Sequence, residues 1–192
     1  MLFRSIESVK TGINYALVLT TNGGLWRYLI GDTIRFTSLK PHKIVITGRT
    51  QLFINAFGEE LMINNVERAI AAACEKHNAI IENYTVAPTF MDENKKGSHQ
   101  WLIEFSVMPD DIDSFTESLD AKLAQLNSDY EAKRRNDTTM VIPTVTILKP
   151  GTFYEWMKQR GKLGGQNKVP RLYPTRIYAE ELLQLNKIDN LS

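Results

Sequence analysis

The 192-residue chain is long enough to bury one ordinary core, or one core and a small satellite unit. A hydrophobic content of 43%, with no apolar stretch near the roughly 20 residues that span a bilayer, predicts a soluble cytoplasmic protein with no membrane partner. The formal net charge of +1 excludes a long-range field that would attract nucleic acid.

Residues 13–50 have the pattern of a β meander, which is too small to hold a core by itself. A hairpin turn is predicted at residues 22–24 and a second turn at Pro41. The predicted strands cover residues 15–19, 25–30, 33–39 and 43–47. We place a domain boundary near residue 50, because the periodicity changes there.

The second part of the chain alternates strands with helices. The predicted elements are a hairpin at 53–62, a helix from Ile63 to His77, strands at 81–90 and 100–107, a helix from Ile112 to Tyr130, and a strand at 140–148. This order predicts an α+β fold, in which a split βαβ (ferredoxin-like) antiparallel sheet carries helices on one face. The tail adds a helix at 153–160, a glycine-rich loop at 161–170 and a last helix at 178–187.

Cysteine and histidine are too scarce for a metal centre, so we predict no metal site. Cys74 lies among alanines on a helical pattern, where a small buried hydrophobe is favoured over a nucleophile. His77 lies on an apolar helical face and is expected to be a hydrogen-bonded core residue. His42 and His99 lie beside turns, so we expect both on the surface.

Three segments have residues suited to nucleotide chemistry, although a P-loop and a GxGxxG motif are absent. Asp32 follows a strand and a glycine, where a carboxylate can accept two hydrogen bonds from a vicinal diol such as ribose. Arg49 follows Gly48 at a strand end and can present a planar guanidinium to ribose or phosphate oxygens. The alternatives are an ordinary turn at Asp32 and a surface ion pair at Arg49.

Lys168 lies in the third segment, between paired glycines and Pro170. Such a loop can deliver a compact positive charge to a reacting phosphate. The alternative is a flexible connector with a solvated lysine.

Together, these segments resemble the motifs of the auxin-responsive (Gretchen Hagen) acyl acid–amido synthetases. The matching motifs are Gly24-Leu25-Trp26-Arg27-Tyr28 with Gly31-Asp32, then Gly151-Thr152-Phe153, then Gly165-Gln166-Asn167-Lys168-Val169-Pro170-Arg171. Residues 48–67 are similar to the hinge region of the wider adenylate-forming superfamily of acyl-CoA synthetases, adenylation domains and luciferases. The resemblance covers residue 11 to the end and is nearest to the bacterial branch, which shares the Phe57-Gly58-Glu59-Glu60 segment.

The resemblance implies a role for each matching residue. Asp32 would hold the ribose hydroxyls of ATP, Arg49 would assist at the ribose or phosphate, and Tyr28 would pack near the nucleotide together with Trp26. For both aromatics, a place in the core of a strand is an equally good alternative. Leu29 departs from the arginine that plant members commonly carry at its position.

The resemblance also implies that residues 1–50 end a large N-terminal domain and that residues 51–192 form a mobile C-terminal domain. Gln51 matches the hinge, although many superfamily members have Asp or Lys there. Lys168 would stabilise charge on the α-phosphate during adenylation. Lys162 is the alternative, because the superfamily lysine directly follows a glycine, as in Gly161-Lys162.

The implied reaction uses ATP with Mg²⁺ to adenylate a carboxylic acid, and then transfers the acyl group to an amino acid. The family's phosphate loop and acyl pocket belong to an N-terminal domain missing from this sequence, so we expect the chain alone to be inactive. The alternatives are a part of an acyl-CoA ligase, or a non-catalytic regulatory or partner-binding module.

Overall fold

The computed structural model describes residues 4–49, 53–92, 95–137, 139–164 and 167–188. The chain divides into two compact units, Met1–Leu52 and Phe53–Ser192. Among the residues so described, no helix combines the length and apolar character that crossing a membrane requires.

The first unit is a three-stranded antiparallel sheet. Its strands, in spatial order, are β1 (Asn14–Leu19), β2 (Tyr28–Leu39) and β3 (His42–Arg49). A single turn of 3-10 helix (Ile6–Ser8) precedes them. The buried hydrophobic residues in the described part of this unit are Ile34 and Phe36, so its own core is very small.

Strand β2 is continuous where the sequence predicted two strands. Ala16 pairs with Thr33 and Val18 pairs with Leu29, so three residues of β2 lie opposite one residue of β1. Gly31 lies inside this bulge with a φ of 86°. Because glycine adopts positive φ without steric cost, the strand bends at this point and continues.

The second unit contains the remaining strands and all five α-helices of the described chain. They are, in chain order, β4 (Phe53–Ile54), β5 (Leu61–Met62), α1 (Ile63–Lys76), β6 (Ile80–Thr89), β7 (Ser98–Val107), α2 (Ile112–Leu126), α3 (Ser128–Arg134), β8 (Thr144–Leu148), α4 (Thr152–Gln159) and α5 (Ile177–Ile188). A 3-10 turn (Arg135–Asp137) follows α3. The predicted α+β class is therefore confirmed.

The main sheet of this unit has the order β6-β7-β8 and is mixed, where a purely antiparallel sheet was predicted. Strands β6 and β7 form an antiparallel pair, while β7 and β8 run parallel. The reason is the long crossover through α2 and α3, which returns the chain to the start of β7. Strands β4 and β5 form a separate two-stranded sheet.

Helices pack on both faces of the main sheet, because alternate side chains of a strand point to opposite sides. On one face, Trp101 and Ile103 of β7 join α1 and α2 in the larger core cluster. On the other face, Leu102 of β7 and Leu148 of β8 pack with α4 and α5 in a smaller cluster. The predicted single helical face holds for α1 and α2, while the tail helices cover the opposite side.

The predicted helix from Ile112 to Tyr130 is divided at Asn127. This residue has extended backbone (φ −145°), and its side-chain oxygen accepts hydrogen bonds from the N–H groups of Asp129 and Tyr130. Asn127 therefore caps the start of α3. The hydrophobic periodicity did not reveal the break because Tyr130 still reaches the core.

Candidate functional site

Asp32 and Arg49 are direct neighbours in the first unit. Asp32 follows Gly31 in the bulge of β2, and its Cα partner on β3 is Arg49. Residues paired in this way have Cβ atoms about 4.5–5.5 Å apart. Asp32 is half-buried, and Arg49 is described by its backbone only. The structure thus places the two predicted nucleotide-binding residues opposite each other on neighbouring strands. Asp32 lies in a β-bulge, and not in the ordinary turn that was the alternative.

The two aromatic residues of the first motif lie on the surface of the described chain. Tyr28 begins β2 and is 50% exposed. Trp26, two residues earlier, is 76% exposed. Arg27 has a φ of 49°, and its guanidinium carbon lies 5.9 Å from the centroid of the Trp26 ring. Neither aromatic belongs to the core of a strand, so that alternative is wrong for the described chain.

Gln51 lies outside the described residues, and the hairpin that follows it is built around a buried carboxylate. Glu59 is fully buried, accepts hydrogen bonds from the N–H groups of Ala56 (3.2 Å) and Phe57 (2.7 Å), and contacts Nε2 of His99 at 2.9 Å. Burial raises the pKa of Glu59, but the hydrogen bonds from His99 and the backbone outweigh it and hold the pKa below its usual value.

The prediction that His99 lies on the surface is wrong. Its side chain is fully buried between Glu59 and Tyr130, and the centroids of the His99 and Tyr130 rings are 5.8 Å apart. Nδ1 of His99 is buried without a hydrogen-bond partner in the described part of the chain. Local sequence could not reveal this position, because the partner carboxylate is 40 residues away in the sequence.

His42 fits its prediction, whereas His77 is hydrogen-bonded as predicted but, like Cys74, only partly buried. His77 caps the end of α1 and shares a 2.8 Å hydrogen bond with Ser118, and His42 is exposed at the start of β3. Cys74 is half-buried, and burial raises the pKa of its thiol. Over the described ranges, no group of three or more His, Cys, Asp or Glu residues is arranged to hold a metal ion.

The glycine-threonine-phenylalanine motif starts helix α4. Gly151 has a φ of 86°, and the N–H groups of Gly151 and Phe153 donate to the carboxylate of Glu104, at 2.5 Å and 3.2 Å. The hydroxyl of Thr152 donates to the carbonyl oxygen of Lys149 at 2.8 Å. A buried carboxylate from β7 therefore satisfies the first N–H groups of the helix, and this motif has a structural role.

Lys162 and Lys168 have different backbone surroundings. Gly161 has a φ of 63°, and the N–H of Lys162 donates to the carbonyl of Met157 at 2.9 Å, as in the glycine-terminated helix ends known as Schellman motifs. The glycine before Lys162 is thus explained by the end of α4. Lys168 is exposed and lies beyond this turn, outside any helix or strand.

The loop that carries Lys168 is fixed where it leaves α4. The guanidinium carbon of Arg160 lies 4.9 Å from the ring centroid of Trp156 and 4.6 Å from that of Tyr178. The same guanidinium forms a 2.7 Å ion pair with Glu181, which also accepts a hydrogen bond from Trp156 Nε1 at 2.7 Å. These contacts join the end of α4 to α5.

Both units match domains of a single protein family, in the same order along the chain. A sequence profile described as the GH3 family C-terminal domain matches residues 64–177, which is more than half of the chain. A second profile, described as the GH3 family central domain, matches residues 3–49. This chain belongs to the GH3 family. The resemblance seen in the motifs is thereby confirmed, while its assignment to the bacterial branch stays a prediction.

The curated relatives of this GH3 chain are considerably longer than it is. Indole-3-acetic acid-amido synthetase GH3.15 of Arabidopsis thaliana is 27% identical over 95% of this chain and 33% of the relative. GH3.4 of the same plant is 28% identical over 86% of the chain and 30% of the relative. The chain thus spans about a third of the length of the curated relatives it matches.

Solved structures share the fold of this GH3 chain. A GH3.15 acyl acid amido synthetase superposes with a TM-score of 0.75 at 24% identity, over 95% of this chain and 35% of that structure. A 2-hydroxyisobutyryl-CoA ligase, solved in the postadenylation state, superposes with a TM-score of 0.50 at 14% identity, over 96% of the chain and 36% of the structure. At these identities, the superpositions establish the fold.

Proposed function

We propose that this chain is the C-terminal part of an ATP-dependent acid–amine ligase that adenylates a carboxylic acid and transfers the acyl group to an amino acid. The observation that carries the proposal is the ordered match of both units to GH3 domains. The names of the curated relatives, amido synthetases acting with indole-3-acetic acid, agree with an acid and an amine as substrates.

The proposed reaction has two steps, and neither needs a protein nucleophile. In the first, a carboxylate oxygen attacks the α-phosphorus of ATP, the bond to the β-phosphate oxygen breaks, and pyrophosphate leaves. In the second, an amine nitrogen attacks the acyl carbon, the bond to the AMP oxygen breaks, and the nitrogen loses a proton. Catalysis then depends on positioning and on charge stabilisation.

Asp32, Arg49 and Tyr28 are the proposed nucleotide-binding residues of the first unit. The half-buried carboxylate of Asp32 would accept hydrogen bonds from the ribose hydroxyls, and the adjacent position of Arg49 on β3 supports a shared contact region. Mg²⁺ would neutralise the charge of the ATP phosphates during the first step.

Lys168 is the proposed catalytic residue, ahead of Lys162. Gly161 is accounted for by the end of α4, and Lys168 lies in an exposed loop segment that matches the family motif. The ammonium would stabilise the negative charge that gathers at the α-phosphate in the first step. We further propose that residues 51–192 rotate about Gln51 between the two steps, so that this charge is withdrawn before the amine enters.

The chain alone is proposed to be inactive. It spans about a third of its relatives, so we place the phosphate loop and the acyl pocket in an N-terminal domain outside this sequence. Its location in the cytoplasm stays a prediction from composition.

A screen of pyrophosphate release by the full-length protein tests the function. Carboxylic acids are crossed with amino acids and with coenzyme A as acceptors, and the products are identified by mass spectrometry. We expect ATP-dependent pyrophosphate release with a subset of acids, and an amide product with an amino acid. A thioester in preference to an amide would favour the acyl-CoA ligase, and no turnover with any acid would favour a non-catalytic module.

A further inference from the structure

The segment that follows Lys168 is attached to the edge strand of the main sheet. The buried hydroxyl of Thr85 donates to the carbonyl of Pro170 at 2.6 Å. The N–H of Val86 donates to the carbonyl of Arg171 at 3.0 Å, and the N–H of Tyr173 donates to the carbonyl of Val86 at 2.9 Å. These bonds extend the sheet by a short parallel segment beside β6.

The side chain of Arg171 connects this segment to helix α1. Its Nη1 lies 2.9 Å from the carboxylate of Glu67, and its guanidinium carbon lies 5.4 Å from the centroid of the Tyr84 ring. A planar guanidinium can stack on a ring and bond a carboxylate at the same time. The segment is thus held through its backbone by β6 and through Arg171 by α1.

Lys168 lies close to this attached segment on its C-terminal side. It stands two residues before Pro170, and on its other side the amide nitrogen of the Asn167 side chain donates to the carbonyl of Gly164 at 3.3 Å. A lysine side chain is a flexible stem with a compact charge, so the reach of its ammonium follows from where its Cα is held. The attachment at residues 170–173 restrains that Cα from its C-terminal side.

We infer that Glu67, Thr85 and Arg171 are positioning residues for Lys168. They fix the exit of the loop, so that the ammonium is presented to the α-phosphate during adenylation, and they do not touch the nucleotide themselves. The inference rests on the proposed function. It concerns the first step only, because amide formation does not use the lysine.

The Arg171–Glu67 pair can be broken without unfolding the protein. The two side chains are 55% and 48% exposed, and an ion pair with that exposure contributes little to folding. A displacement of a catalytic group by about 1 Å can slow a reaction by up to about 100-fold. Loss of the pair is therefore expected to affect rate far more than stability.

The test compares the two half-reactions in the full-length protein. Arg171→Ala is expected to slow pyrophosphate release, with ATP and the best acid from the screen, by about 10- to 100-fold. Amide formation from supplied acyl-adenylate should stay near the wild-type rate. The matched control is Arg135→Ala, which removes a more exposed pair with Glu131 on α3 and should leave both rates unchanged.

A double substitution separates positioning from a general structural effect. If Arg171 acts through Lys168, Arg171→Ala should cause no further loss of pyrophosphate release in a Lys168→Ala background. Three outcomes would overturn this inference while leaving the proposed function intact. They are a full additional loss in the double variant, equal losses in both half-reactions, and wild-type rates in Arg171→Ala when Lys168→Ala is impaired. Wild-type pyrophosphate release by Lys168→Ala would refute the proposed role of the lysine, and the inference with it.

Hydrogen–deuterium exchange gives a second readout that needs no nucleotide. Thr85→Val removes the bond to Pro170 while keeping the shape of the side chain, and Thr85→Ser keeps the hydroxyl. We expect faster exchange at the amide of Tyr173, together with slower pyrophosphate release, in Thr85→Val but not in Thr85→Ser. Wild-type pyrophosphate release by Thr85→Val would overturn the inference whatever the exchange result.

Discussion

The carboxylate of Asp32 offers two acceptor oxygens on a bulge beside Arg49. Asp32→Asn keeps the shape of the side chain but replaces one acceptor with a donor and removes the charge. Since a hydrogen bond to a charged acceptor contributes about 1.5–3 kcal/mol, we expect the KM for ATP to rise about 10-fold or more, with a smaller change in kcat.

Pyrophosphate release by the full-length protein, measured over a range of ATP concentrations, checks this expectation. Arg35→Gln is a suitable control, because Arg35 is an exposed residue on the same strand. An unchanged KM for ATP in Asp32→Asn would mean that the carboxylate does not bind the ribose.

Glu59 makes the stability of the second unit depend on pH. Its pKa in the folded chain lies below the ordinary value of 4.5, so the unfolded chain takes up a proton first as the pH falls. The contribution of the carboxylate is therefore fully present above about pH 4.5 and is lost as the pH decreases towards the folded pKa.

Urea unfolding of wild type and Glu59→Gln at several pH values measures this contribution. At pH 7, we expect the variant to be less stable by about 1–3 kcal/mol, because the buried hydrogen bonds to His99, Ala56 and Phe57 are weakened or lost. The difference should shrink as the pH is lowered from 5 towards 4. A difference that stays constant over this range would show that the charge of Glu59 does not stabilise the fold.

At the scale of elements, helix α4 depends on a residue from another strand. Glu104→Ala leaves the N–H groups of Gly151 and Phe153 without their acceptor in a buried place. We expect a loss of about 1–3 kcal/mol in the free energy of unfolding, measured by chemical denaturation. Glu155→Ala, in the exposed first turn of the same helix, should change the free energy of unfolding by about 0.5 kcal/mol or less. Equal losses in the two variants would contradict the capping role of Glu104.

Elements that depend on local spacing could be predicted, whereas those set by distant partners could not. The stripe from Ile63 to His77 predicts α1 (Ile63–Lys76), because residues three and four apart share one face. The parallel register of β8 and the burial of His99 depend on contacts with segments about 40 residues away. Periodicity carries no information about such contacts.

In the candidate site, too, local motifs could be predicted and long-range contacts could not. Motifs located Asp32 and Arg49, yet their pairing across β2 and β3 depends on a register shift between Thr33 and Ile34 that the sequence pattern did not indicate. The attachment of residues 170–173 to β6 was also not predictable, since it joins positions 85 residues apart.

At the scale of the whole molecule, the two units differ in how much apolar surface they bury by themselves. In the described part of the first unit, Ile34 and Phe36 are the buried hydrophobic residues, while Trp26 and Ile46 are 76% and 73% exposed. The second unit contains two core clusters, built around Trp101 and Trp156. A three-stranded sheet without a covered face is at best marginally stable in water.

Separate expression of residues 1–52 and 53–192 tests this difference, with tryptophan fluorescence as the readout. Trp101 and Trp156 are 0% and 3% exposed, so residues 53–192 should show a cooperative urea transition with a shift of emission to longer wavelength. Residues 1–52, whose tryptophan is the exposed Trp26, should show water-exposed emission with no transition. A cooperative transition in residues 1–52 would show that the meander folds without a partner, and the case for placing it at the end of a larger domain would then lose its energetic support.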